Sequence, residues 1–259
     1  MESVLHVRAF KDNYIWLVRG TSPDRVALVD PGDAGPVLPY LREQRLRPVA
    51  ILCTHHHGDH VGGVPEVLDE HPGIPVYGPA NEHIPCRTHA LHEGDHVALP
   101  ELELDFSVLD IPCHTAGHIA FYGNGMLFCG DTLFSAGCGR LFEGTAEQMH
   151  RSLSKLAALP EHTKVYCGHE YTVANLRFAL AAEEGNADIR SYLNRAQEIR
   201  TRGQPTLPST IGLERRVNPF LRAGLPALRE SAERHEGRRL DSEIAVFASL
   251  RRWKDGFRT

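Results

Sequence analysis

Up to about residue 170, short apolar runs alternate with Gly, Pro and Asp punctuation, which predicts strands over 14–19, 25–29, 49–53, 74–77, 106–111, 119–122, 126–129 and 164–167. Helices are expected between several of them. Thr145 and Gln148 have the spacing of a capping box and open a predicted helix that runs to about Ala158, ahead of Pro160. Strands interleaved with helices make this an α/β region. Beyond His169 the pattern changes. Ile189, Tyr192, Leu193, Ala196 and Ile199 recur at helical spacing, and Asp241 is expected to cap a final helix carrying Ile244, Phe247 and Leu250 on one side. The change predicts two domains, 1–171 and a smaller helical 172–259.

Composition narrows the class. Of 259 residues 42% are apolar and 24% charged, enough to build a packed core and too apolar for wholesale disorder. No apolar run approaches the roughly 18 residues of a membrane span. The start, MESVLHVRAFKDNY, lacks an apolar stretch behind a basic end, so a cytoplasmic protein without membrane contact is expected. Cysteines 53, 86, 113, 129, 138 and 167 form no CxxC pair and are expected to be reduced packing residues. The net charge of -5 is uneven: residues 1–170 carry 12 Lys+Arg against 22 Asp+Glu, and the remainder 16 against 11. The acidic part disfavours nucleic acid and suits bound cations, and the basic part could hold an anionic ligand.

The chemistry lies in the histidines. Eleven of the sixteen fall between residues 55 and 118, densest in Thr54-His55-His56-His57-Gly58-Asp59-His60, which leaves the apolar run 49–53 directly. If the chain stays extended briefly, His55 and His57 project to one side and His56 to the other. Two imidazoles can then share one metal ion. Gly58 lets the backbone turn, so Asp59 and His60 could address a second ion nearby. Two ions need more ligands, and three further strand ends offer them: His114 after 106–111, Asp131 after 126–129, and His169 after 164–167. His83, His89, His92 and His96 fall in a segment rich in Gly, Pro and charge and are expected to be solvated loop residues.

The set THHHGDH, His114, GDT and GHE resembles the metallo-β-lactamase superfamily. The fold it implies is an αββα sandwich, two mixed sheets face to face with helices outside and metals at one sheet edge. By that resemblance His55, His57 and His114 hold one ion, Asp59, His60 and His169 a second, and Asp131 bridges both. His118 matches a position that is usually not a direct ligand, and Asp30, in LVDPGD, matches one that supports the ligands from behind. Residue types alone leave the metal open among zinc, iron and manganese, with two zinc ions per chain the first expectation.

Motifs outside the metal set are similar to the glyoxalase II family, the hydroxyacylglutathione hydrolases: AFKDNYIWLV, AGCGRLFEGTAEQM, VYCGHEYT, VNPFLR and a terminal RRWKDGF. The resemblance implies hydrolysis of S-lactoylglutathione to glutathione and D-lactate in methylglyoxal detoxification, by a monomer that takes a glutathione thioester. It also implies contacts to the glutathione tail from Arg140, Phe142, Tyr171, Arg251 and Lys254. Arg140 stands where some members have lysine and keeps the charge. Phe142 replaces a tyrosine of some members and loses a hydroxyl. The chemistry implied is attack on the acyl carbon by a hydroxide that bridges the ions beside Asp59 and Asp131, because metal coordination brings the water pKa to about 7. A sulfur dioxygenase using one iron on the same scaffold, and a non-catalytic metal-binding protein, are the competing readings.

Overall fold

The structure is a computed structural model that describes residues 3–258. The outer limits of the expected domains, 1–2 and 259, lie outside them. The first sheet takes its six strands in chain order: β1 (Val4–Ala9), β2 (Asn13–Val18), β3 (Arg25–Val29), β4 (Arg47–Leu52), β5 (Val76–Pro79) and β6 (His89–Leu91). Between them run α1 (Ala34–Gln44), α2 (Gly58–Val61) and α3 (Val64–Glu70). In β2 all six residues are buried, because both faces are covered. Tyr14, Trp16 and Val18 join the core between the sheets, whereas Ile15 and Leu17 pack with Val37 and Leu41 of α1. Alternate side chains thus feed two different cores, the mark of a strand inside a layered sandwich.

The second sheet begins with β7 (His96–Leu99), β8 (Leu104–Asp110), β9 (Ile119–Gly123) and β10 (Met126–Gly130). A small hairpin, β11 (Leu133–Phe134) with β12 (Gly137–Cys138), leads to α4 (Ala146–Ala157) and β13 (Lys164–Cys167). Thr145 and Gln148 do cap α4 reciprocally. The sheets meet through Trp16, whose ring stands 5.0 Å from that of Tyr166 and whose Nε1 donates to the Cys167 carbonyl at 3.0 Å.

From residue 172 the chain is mostly helical: α5 (Thr172–Ala182), α6 (Ala187–Thr201), α7 (Ile211–Val217), α8 (Pro226–Glu236) and α9 (Glu243–Gly256). One short strand interrupts it. β14 (Ser209–Thr210) pairs antiparallel with β13 and forms the edge of the second sheet. Phe178, Phe220 and Phe247 are buried in the same core as Phe128, so these helices pack on the sandwich itself.

Several expectations need correction. His89 and His96 open β6 and β7, edge strands of three and four residues, too short for alternation to announce. β1 was hidden by His6 and Arg8 among its apolar residues, and Ile74 precedes β5 rather than starting it. The last helix is capped by Ser242, not Asp241: its hydroxyl accepts the Ala245 N–H from an extended backbone at φ -144°. Five cysteines are buried and free, whereas Cys86, also free, is exposed and does not pack. Among the described residues no helix is long and apolar enough to cross a membrane.

Candidate metal centre

β3 runs parallel to β4, and β8, β10 and β13 point the same way because β9 is antiparallel to both of its neighbours. The carboxyl ends of these strands lie along one edge of the sandwich. Chain leaving them delivers Asp30, His55–His60, His114, Asp131 and His169. β2 is antiparallel to β3, so its first residues, with Asp12 and Asn13, arrive at the same edge.

His57 Nδ1 lies 3.1 Å from His55 Nε2 and 3.1 Å from His114 Nε2. Ligands about 2.0–2.1 Å from a tetrahedral ion stand about 3.3 Å from one another, so three imidazoles at this spacing fit one cation. His60, His169 and Asp59 make a second group whose ligand atoms all lie within 4.8 Å of one another. Asp131 touches both groups: Oδ1 is 3.3 Å from His60 Nε2, and Oδ2 is 3.2 Å from His169 Nε2 and 3.5 Å from His114 Nε2. His60 Nε2 and Asp131 Oδ1 are fully buried without a hydrogen-bond partner, an expensive state that a cation between them would resolve.

The outer nitrogens explain why the inner ones are free. His114 Nδ1 donates to the Arg140 carbonyl at 3.0 Å, His169 Nδ1 to Asp12 at 2.8 Å and His60 Nδ1 to Asp30 at 3.0 Å. His55 Nδ1 donates to the Thr54 hydroxyl, which itself donates to Asp30. The bonded nitrogen of each ring is thereby fixed on its far side and each Nε2 faces inward. Asp30 does this from φ 51°, with its other oxygen accepting the Thr54 N–H at 2.8 Å.

Burial pushes His55, His57 and His114 below the usual histidine range and keeps them neutral, as ligands must be. Burial would also lower His60, but the carboxylates of Asp131 and Asp30 outweigh it and hold the ring well above that range. Burial opposes the charge on Asp131 too, yet His60 and His169 keep its carboxyl well below the ordinary value. Negative charge concentrated in this way attracts cations.

His118 is not turned toward either group. Its Nε2 accepts the Asp131 N–H at 3.1 Å, its Nδ1 donates to the Ile119 carbonyl, and its ring stacks on His55 at 4.5 Å. It orients two neighbours that face the site. Gly130, at φ 46°, makes room for it, since a Cβ there would fall 2.8 Å from the His118 ring and 2.3 Å from Thr54 Oγ1.

A cavity of about 560 Å³ opens over the metal-facing residues. His57, Asp59 and Asp131 form its floor, and Arg140, Tyr171 and Lys254 stand on its walls. Tyr171 stacks on His169 with centroids 4.8 Å apart and planes 3° from parallel. Phe142 is largely exposed and leans over His114 and His57, 5.2 and 5.9 Å from their rings.

Residues 170–257 match the family described as hydroxyacylglutathione hydrolase C-terminus, and residues 9–169 match the metallo-β-lactamase superfamily. The hydroxyacylglutathione hydrolase of Nitrosomonas eutropha is 55% identical over 99% of this chain and 100% of its own length. This chain belongs to the hydroxyacylglutathione hydrolase family. Its sandwich is that of the wider superfamily: the structure of ETHE1 from Myxococcus xanthus, 24% identical, superposes with a TM-score of 0.63 over 96% of this chain and 98% of that one. A di-iron-bound form of TTHA1623, 28% identical, does so with a TM-score of 0.58 over 84% of this chain and 98% of that one.

In this member of the family all seven residues expected to face metal converge, and Arg140, Phe142, Tyr171, Arg251 and Lys254 line the same cavity. Arg251, however, is not an exposed cation. It is buried, with Nη1 donating to the Cys138 carbonyl at 2.8 Å and Nη2 to Asp255 at 2.8 Å. The helical spacing placed it beside Lys254 but carried no information about the β11–β12 hairpin that covers it. Asp12 and Asn13 escaped the sequence reading. Asn13 Nδ2 donates to Asp59 Oδ2 at 2.9 Å, as Asp12 accepts from His169, and only the strand direction of β2 brings them there.

Proposed function

We propose that the chain hydrolyses S-lactoylglutathione and related 2-hydroxyacyl thioesters of glutathione, releasing glutathione and, from the former, D-lactate, in the detoxification of methylglyoxal. The observation that carries this reading is a single cavity with a metal-binding floor and cationic walls, in a chain whose family is named for that activity. Residues 1–171 carry the chemistry, and 172–259 add Lys254 to the recognition supplied by Arg140, Phe142 and Tyr171. His55, His57 and His114 would hold one divalent ion, Asp59, His60 and His169 a second, with Asp131 between them and zinc the first candidate. When bound, such ions polarise a carbonyl and bring the pKa of water to about 7. The likeness to a di-iron form of a relative supports two ions in this scaffold. Free cysteines, five of them buried, support a reducing compartment, the cytoplasm.

Hydrolysis forms a bond from water oxygen to the acyl carbon, breaks the C–S bond and leaves a proton for the sulfur. Asp59 and Asp131 bracket the floor where water would attack, and Asn13 fixes the Asp59 carboxylate by its hydrogen bond. His169 is held flat against Tyr171, so the second group of ligands is steadied from the cavity side. A thiol of ordinary pKa, about 8.5, leaves as thiolate without a strong general acid. Burial keeps the Tyr171 hydroxyl protonated far beyond neutral pH, so it acts as a hydrogen-bond donor. Arg140 and Lys254 are the cations for the two carboxylates of the peptide.

Burial first, and then the charge of Arg251, push Lys254 down to about 8. Its amine is therefore charged below pH 8 and neutral above. For a peptide tail bearing two carboxylates, KM is expected to rise as pH passes 8 in the wild type and to stay flat there in Lys254→Ala. At pH 7 the variant should raise KM by about 3- to 30-fold with kcat nearly constant, because the contact forms before the reaction and persists through it. A short acyl thioester without the peptide should show neither effect. Equal losses on both substrates, or a fall in kcat alone, would count against Lys254 as a reader of the tail.

A further inference from the structure

The middle histidine of the triplet turns away from the metal-facing side, yet it is not idle. His56 stands between two carboxylates: Nδ1 is 3.0 Å from Glu82 Oε2, and Nε2 is 3.6 Å from Glu143 Oε1. Each carboxylate spends its other oxygen on the loop between His114 and His118. Glu82 Oε1 accepts the Thr115 hydroxyl and, at 2.9 Å, the Gly117 N–H; Glu143 Oε2 accepts the Ala116 N–H at 2.7 Å. The fit is close, since a Cβ on Gly117 would fall 2.7 Å from Glu82 Cγ.

Loop capping alone does not account for the arrangement. The Glu82 side chain is only 3% exposed, and its Oε2 makes no aligned hydrogen bond among the described residues, with the His56 ring beside it. A carboxylate is costly to bury unless both oxygens are engaged. Its neighbours lie on two different loops, one carrying His55 and His57 and the other carrying His114. Those three nitrogens must stand within a few tenths of an ångström of tetrahedral spacing to share a cation.

We propose that His56, Glu82 and Glu143 are positioning residues that clamp the 54–60 loop to the 114–118 loop and thereby set the separation of the three imidazoles of the first metal group. The inference rests on the metal-binding reading above and is independent of which thioester is cleaved. Outer partners of metal ligands typically cost 10- to 100-fold in metal affinity when removed.

The test is a double-variant cycle on cobalt(II)-loaded protein, reading cobalt retained against a competing chelator, the visible cobalt spectrum and the melting temperature of the metal-free chain. His56→Ala and Glu82→Ala should each weaken retention of one cobalt ion by about 10- to 100-fold and alter the spectrum. The pair together should lose little more than the worse single variant, because the two residues act in one clamp. Glu82→Gln, which keeps an acceptor for Thr115 and Gly117, should restore most of the affinity. Metal-free melting temperatures should stay close to wild type, since the clamp sets metal affinity and not the folding of the chain. Unchanged retention, or losses that multiply in the double variant, would overturn the proposal. So would a loss of affinity that only follows a fall in melting temperature and that glutamine does not rescue. A wild type that binds cobalt but leaves thioesters intact would instead refute the activity and leave the clamp standing.

Discussion

Asp131→Ala should empty the site of most of its metal and abolish hydrolysis in the same preparation, by at least about 1,000-fold, well beyond the roughly 10- to 100-fold cost of losing an outer partner. This carboxylate stands against both clusters, with one oxygen facing His60 and the other facing His114 and His169. It is also the charge that holds His60 and His169 above their ordinary range against the effect of burial. On the proposed two-ion reading, removing it would take a ligand from each group and weaken the attraction for cations at once. Asp131→Asn keeps the shape and loses the charge, so it should sit near the alanine variant. Elemental analysis beside a thiol-release assay measures both quantities. Full metal content with full activity would exclude Asp131 as the shared ligand.

Arg251→Ala should lower stability by about 2–4 kcal/mol, combining an orphaned carbonyl, a broken ion pair and lost packing. The guanidinium is buried, donates to the Cys138 carbonyl, pairs with Asp255 and lies 5.2 Å over the Phe220 ring. Asp255 is half-exposed, so the ion pair contributes the smaller share. For a chain of this size the loss corresponds to a melting temperature lower by about 5–15 °C. Because Arg251 ties α9 to the hairpin that precedes Arg140, KM for a glutathione thioester should rise with it. Lys254→Ala, by contrast, should raise KM with the melting temperature nearly unchanged. If both variants melt like wild type and differ only in KM, Arg251 binds substrate directly and the structural role assigned here is wrong.

The contrast between these two residues shows how far a sequence can be read. The candidate ligands His55, His114, Asp131 and His169 were legible because each follows an apolar strand within four positions, and parallel strands bring such ends to one edge whatever the loops do. His56 does turn away from His55 and His57, but β4 ends at Leu52 and the chain bends at Thr54 and His55, so the expected extended run is not what places them. The groups that set the rings are different in kind: Thr54 and Asp12 act through single hydrogen bonds, and the Arg140 carbonyl has no side-chain signature at all. Edge strands such as β6 and β14 were illegible because two or three residues carry no period. The last 89 residues are basic and bring Arg251 and Lys254 to the cavity, but net charge does not distinguish an available amine from a guanidinium already engaged by a carbonyl and an acid.

The most direct test is thiol release from S-lactoylglutathione by purified protein under argon, with metal content measured on the same sample. Catalytic release of one glutathione per thioester, undiminished without oxygen, lost on chelation and regained on returning a divalent ion, is the result expected. An intact thioester in the presence of two bound ions, or turnover that needs oxygen, would contradict the assignment as a hydrolase.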